Sequence, residues 1–140
     1  MSVEMVPTTD KLRAEFKQAA DLSGLSAQCS QYTAFCSGAP YLYWTLMHDG
    51  KAAGEVCFYP TSHYCWLDVF VTPQAQGKWA SRRIFRQIAD IAFSQYGANV
   101  ICVVTKNPRS ARILAQQGFI PYATDEAGIC FALYKGSYNG

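Results

Sequence analysis

CWLDVFVTPQAQGKWASRRIF, residues 65–85, decides how this chain folds. The first seven residues are an apolar, aromatic and β-branched run, which reads as a strand. From Trp79 the period changes. Ile84, Phe85, Ile88, Ile91 and Ala92 recur at i, i+1, i+4, i+7 and i+8, the single buried stripe of a helix. Arg82, Arg83, Arg86 and Asp90 take its other sides. A strand that turns through a short loop into a helix gathers backbone N–H groups and the positive helix end, an anion site by construction. The loop is neither a P-loop nor a dinucleotide fingerprint, because neither GxxxxGK(S/T) nor GxGxxG occurs.

Upstream, residues 2–6 read as a short strand. Thr8, Thr9 or Asp10 then caps a helix with Leu12, Phe16, Ala19 and Ala20 at helical spacing, ended by Ser23-Gly24. A weaker helical stretch covers about residues 26–36. YLYWTLMH, Asp49-Gly50 and KAAGEVCFYP form a hairpin signal, since Asp-Gly fits a tight turn between β-prone runs. Downstream, Gly97 stops the long helix and NVICVVT reads as a buried strand. Asn107-Pro108 opens a helix that runs to Gln117 before Gly118. FIPYA and ICFALY, joined around Glu126-Ala127-Gly128, close with another hairpin.

This order predicts one mixed α+β domain over residues 1–140, a mostly antiparallel sheet of 6–7 strands with a β-α-β crossover and helices on both faces. The 140 residues are half apolar with 14% aromatics, which excludes a disordered chain. No apolar run approaches the roughly 20 residues that span a bilayer, and no secretory h-region opens the chain, so the expectation is a soluble cytoplasmic protein. The six cysteines, Cys29, Cys36, Cys57, Cys65, Cys102 and Cys130, show neither CxxC nor zinc spacing and read as reduced core thiols, with no metal. His48 and His63 stand alone and receive no role. Net charge is only +2, yet seven of the twelve basic residues fall between Lys78 and Arg112 with Asp90 as the single acid there. They are either two solvated helix faces or a local anion site.

The chain resembles the GCN5-related N-acetyltransferases (GNAT). Val71, Pro73, Gln76, Gly77 and the pair Ile84-Phe85 fall in register with that family's loop signature, and Asn107, Gly118 and Phe119 keep the spacing of a second motif. The resemblance implies that β-strands CWLDVFV and NVICVVT splay apart around acetyl-CoA, the acyl donor. The main chain of Val69, Phe70 and Val71 would hold the pantetheine arm. Backbone N–H groups of Gln76, Gly77, Lys78, Trp79, Ala80 and Ser81 would hold the pyrophosphate, and basic residues around 78–86, Arg82 among them, would serve the nucleotide phosphates. Asn107 and Arg112 would flank the cofactor from the second motif. Asp68, with Glu55 as a second candidate, would take the amine's proton.

Three positions depart from the pattern. Trp79 and Ser81 stand where the family has glycine, and Leu114 replaces the tyrosine that protonates the thiolate, a role left to Tyr122 or a water. A looser resemblance, to the internal virion protein of T7-like phages, implies a fold kept without catalysis, in the virion or host cytoplasm. The competing functions are therefore an acyltransferase acting on a small amine or a peptide amine, a non-catalytic interaction protein, and a nucleic-acid modifier or binder. Oligomeric state stays open, a homodimer included.

Overall fold

The computed structural model describes residues 3–24 and 41–138. The predicted helical stretch at 26–36 and the thiols Cys29 and Cys36 lie outside the described residues. Seven strands form one sheet in the order β1-β2-β3-β4-β5-β7-β6. They are β1 Glu4–Pro7, β2 Leu42–His48, β3 Lys51–Pro60, β4 Tyr64–Val71, β5 Val100–Thr105, β6 Ile120–Asp125 and β7 Gly128–Tyr134. Among the described residues, three α-helices accompany them: α1 Asp10–Leu22, α2 Arg82–Asp90 and α3 Pro108–Gln116. The mixed α+β class and the sheet size follow the sequence pattern.

The chain groups into two compact units, and β4 runs through both. The first comprises Met1–Phe58 and Asp68–Ile84, the second Tyr59–Leu67 and Phe85–Gly140.

In the first unit, β1 and β2 pair antiparallel, as do β2 and β3. Asp49 and Gly50 both have positive φ, 54° and 75°, so the predicted Asp-Gly hairpin is made by the turn whose twist suits two paired strands. Thr9 is the cap of α1: its side chain accepts from the Leu12 N–H at 3.2 Å. Phe16 and Ala20 of α1 pack on Ala52, Cys57 and Phe70, with Leu12, Tyr41, Tyr43 and Met47 around them. Full burial of the Phe16 ring contributes roughly 2–3 kcal/mol, which makes this contact the anchor of α1.

In the second unit β4 and β5 run parallel, as the crossover required, but their ladder is short: Tyr64 pairs with Val100, Cys65 with Ile101 and Trp66 with Cys102. β5 instead pairs along its whole length with β7, and β7 pairs with β6. The last strand thus inserts between β5 and β6. Gly128 starts β7 at φ 132°, and a Cβ there would overlap the Thr105 carbonyl oxygen. Only glycine fits that corner. Cys57, Cys65, Cys102 and Cys130 are free and buried, as expected.

Two boundaries differ from the sequence reading. The long helix begins at Arg82, not at Trp79, and its α-helical part ends at Asp90. Residues Ile91–Gln95 form a π-helical turn in which the Tyr96 N–H donates to the Ile91 carbonyl at 2.9 Å. The apolar period runs through both changes, so periodicity alone could not show them.

Candidate active site

The predicted carboxylates Glu55 and Asp68 both belong to the first unit. Phe70 packs against Phe16 of α1, and Asp68 lies two residues before it on β4, so strand alternation turns both toward the α1 side. Cys57 packs in the same cluster, and Glu55 precedes it by two on β3. The two carboxylates therefore share one face of the sheet.

Their surroundings differ. Glu55 is 1% exposed. Its carboxylate Oε1 lies 3.9 Å from Arg13 Nε, and no hydrogen bond reaches that oxygen. The Arg13 guanidinium stacks 3.6 Å above the Tyr43 ring. Thr45, the register partner of Glu55, is also buried, and its hydroxyl is 2.8 Å from that of Thr8. Burial pushes the Glu55 carboxyl up and Arg13 partly offsets it. Asp68 is half-buried, and burial alone pushes its carboxyl up from 3.8 to about 7. At that value the Asp68 carboxyl can exchange a proton near neutral pH. Sequence reasoning missed Arg13. A signal existed: Arg13, Phe16 and Ala20 fall at i, i+3 and i+7, so Arg13 lies on the helix stripe that faces the sheet.

The loop after β4 is tightly built. The Thr72 N–H donates to the Ala53 carbonyl at 2.9 Å, fixing the strand end. Pro73–Ala75 make a 3-10 turn. The Gln76 side chain reaches back to the Val71 carbonyl at 3.4 Å, and Gly77 adopts φ 81°, the left-handed region. Within residues 76–81, the N–H groups of Gln76, Lys78 and Ser81 already donate to the carbonyls of Pro73, Ala75 and Trp79. The expected cradle is therefore narrower than all six amides. Ser81 has a clear structural task. Its Oγ accepts from the Ile84 N–H at 3.2 Å and caps α2, which is why the helix starts three residues later than its periodicity suggests. Val69 is half-buried and Val71 buried; Trp79 and Ala80 are half-buried; Lys78, Arg82, Arg83 and Arg86 are exposed.

The remaining predicted residues lie in the second unit. Asn107 caps α3, its Oδ1 accepting from Arg109 N–H at 2.9 Å and Ser110 N–H at 3.4 Å. Arg112 is exposed on α3, and Leu114, in the place of the family's tyrosine, is 6% exposed. Tyr122 stands exposed in β6. Among the described residues, no group of three or more His, Cys, Asp or Glu side chains is placed to hold a metal ion, and no helix is long and apolar enough to cross a membrane.

Residues 9–119 match the acetyltransferase (GNAT) family model. The chain belongs to that family. Its members use acetyl-CoA as acyl donor. Solved structures agree on the fold. The N-acetyltransferase PseH of Campylobacter jejuni, in complex with acetyl coenzyme A, superposes with a TM-score of 0.67 at 13% identity, over 95% of this chain and 99% of that one. Mycobacterium smegmatis RimJ, in complex with CoA-disulfide, gives 0.78 at 15% identity, over 99% and 84%. The dodecameric spermidine N-acetyltransferase of Vibrio cholerae gives 0.71 at 11% identity, over 99% and 96%. By sequence, no curated protein matches the chain.

Proposed function

We propose that this GNAT-family chain is an N-acetyltransferase that passes the acetyl group of acetyl-CoA to an amine by direct attack, with Asp68 as the general base. The observation that carries the reading is Asp68 itself, a half-buried carboxylate in an apolar strand whose carboxyl stands near 7. It lies immediately before Val69, Phe70 and Val71, where the family holds the donor's pantetheine arm.

The loop suits the donor's pyrophosphate. Gly77 holds the positive φ that lets backbone approach closely, and the first-turn amides of Arg82 and Arg83 have no acceptor within their own helix. The amides of Gly77 and Ala80 complete the cradle, and Lys78 and Arg82 add charge. Bound acetyl-CoA supplies a thioester carbonyl open to attack. Asp68 accepts the proton of the ammonium, which leaves a neutral nucleophile beside that carbonyl. Glu55, buried against Arg13, acts as a positioning group beneath the site and does not touch the acceptor. With Leu114 filling the tyrosine's place, the departing thiolate receives through water the second proton that the nitrogen sheds on acylation. The acceptor is an amine whose protonated form Asp68 can neutralise.

A retired fold of the virion type is the competing reading. Its support has shrunk to Trp79 and Leu114, because Ser81 has a capping role of its own. Calorimetry with acetyl-CoA, followed by turnover on a panel of amines, separates the two: no heat at millimolar acetyl-CoA overturns the proposal.

Replacing the base gives a sharper test. Asp68→Asn lowers kcat by about 10²–10⁴ and leaves acetyl-CoA affinity within twofold. Wild-type kcat/KM rises with pH through about 7. The same group gives a stability signature of definite sign. Its folded-state carboxyl is raised, so the folded protein holds a proton that the unfolded chain releases. That contribution is complete below about 4 and is lost as pH climbs to about 7. Asp68→Asn therefore melts higher than wild type at pH 8, while at pH 4 the two coincide. A variant that melts lower at both pH values would mean that Asp68 serves the fold.

A further inference from the structure

On one face of the second unit, β5 presents only the slim side chains Val100 and Cys102, and the strands beside it raise aromatic walls. Tyr64 of β4 and Tyr134 of β7 are both register partners of Val100. Trp66 and Ala132 are likewise the partners of Cys102. Directly opposed residues project from the same face, so the β4 and β7 walls stand two strand spacings apart, about 9.5 Å. Tyr122 closes one side from β6, where the register slips between Pro121 and Ala123. Such a bulge turns a side chain out of strict alternation.

The trough so formed encloses about 290 Å³. Its aromatic side chains stay available: Tyr64 is 49% exposed, Trp66 37%, Tyr122 52% and Tyr134 45%. Large apolar side chains grouped in this way on an open surface usually mark a binding site.

We propose that this trough binds an alkylated ammonium group. Its lining holds no lysine or arginine, so nothing there repels a cation. A cation over β5 stands about 4.8 Å from the backbone of either neighbouring strand, so rings rooted there come within the roughly 6 Å reach of an aromatic face. The floor of Val100, Cys102 and Ala132 offers little hydrogen-bonding capacity in exchange for the water shell of a bare ammonium, which favours the alkylated form. This site stands whether or not the chain turns over acetyl-CoA, because none of its residues belongs to the proposed transfer site beyond a thiolate donor already assigned to water.

The test compares choline with 3,3-dimethylbutan-1-ol, its uncharged isostere, by calorimetry and by proton NMR of the ligand methyls. Choline binds at least about tenfold more tightly than the alcohol. Trp66→Leu removes most of that preference, and Tyr122→Phe, which keeps the ring, retains it. Circular dichroism confirms that each variant folds; should Trp66→Leu unfold, Tyr134→Leu at an exposed position replaces it. Three results overturn the proposal. Equal binding of both probes would make the trough a plain apolar groove. Absence of binding by either, in a folded protein, would remove it as a ligand site. Concentration-dependent dimerisation that Trp66→Lys abolishes would show that a second copy of the chain covers it.

Discussion

Two strand-to-helix corners can be compared directly, the one from β4 into α2 and the one from β5 into α3. Both helices open under a side-chain cap, and both carry arginines in their first turns. The caps work differently. Asn107 accepts two amides of α3, those of Arg109 and Ser110, and Pro108 has no amide to offer. That helix end is filled by its own chain. Ser81 accepts only the Ile84 amide of α2 and leaves those of Arg82 and Arg83 unclaimed by the cap. A helix end presents its positive pole to a ligand only when its cap leaves donors over. Under the proposed function, the anion sits at the first corner, where α2 still has amides to offer, rather than at the second, whose cap claims two.

Charge reversal breaks this comparison most forcefully. Arg82→Glu with Arg83→Glu raises the acetyl-CoA KM by roughly 10- to 100-fold at low salt, whereas Arg109→Glu with Arg112→Glu changes it less than about threefold. Equal effects at both corners would dissolve the distinction. Cap removal comes next in size. Asn107→Ala costs about 1–2 kcal/mol in denaturant melts and Ser81→Ala about 1 kcal/mol, with acetyl-CoA affinity moving only in the Ser81 variant. The smallest effect belongs to Trp79→Gly, which restores the family's glycine and tightens acetyl-CoA a few-fold by relieving crowding over the loop. Weaker binding by that variant in calorimetry would instead make Trp79 a contact.

What could be read in the sequence was local. The Asp49-Gly50 hairpin, the Asn107-Pro108 helix start and the Gly118 helix end each depend on a few adjacent residues whose backbone preferences agree, and each lies where expected. The carboxylate Asp68 stood out for a similar reason, as a charge within an apolar strand. The start of α2 was misread because apolar spacing continues through Trp79, while the cap that decides it is one hydroxyl. Arg13 could be placed on the inner stripe of α1, but not beside Glu55, because that contact joins a helix to a distant strand. The aromatic trough was illegible for another reason: it is assembled across strands, and β7 lies between β5 and β6, which no run of neighbouring residues announces. In sequence, Tyr64, Trp66, Tyr122 and Tyr134 are four scattered aromatics; only the sheet order gathers them.

The two ends of that order, β1 and β6, have a property in common. Each carries a proline: Pro7, paired to Trp44, and Pro121, paired to Phe131. A proline has no N–H to lend to an arriving strand, so it interrupts the ladder on which a further strand would zip. Neither edge of this sheet is a ready template for amyloid-like growth or for strand exchange between copies. Crowded molecules of this protein can associate through side chains, but the backbone gives them no continuous seam along which to polymerise.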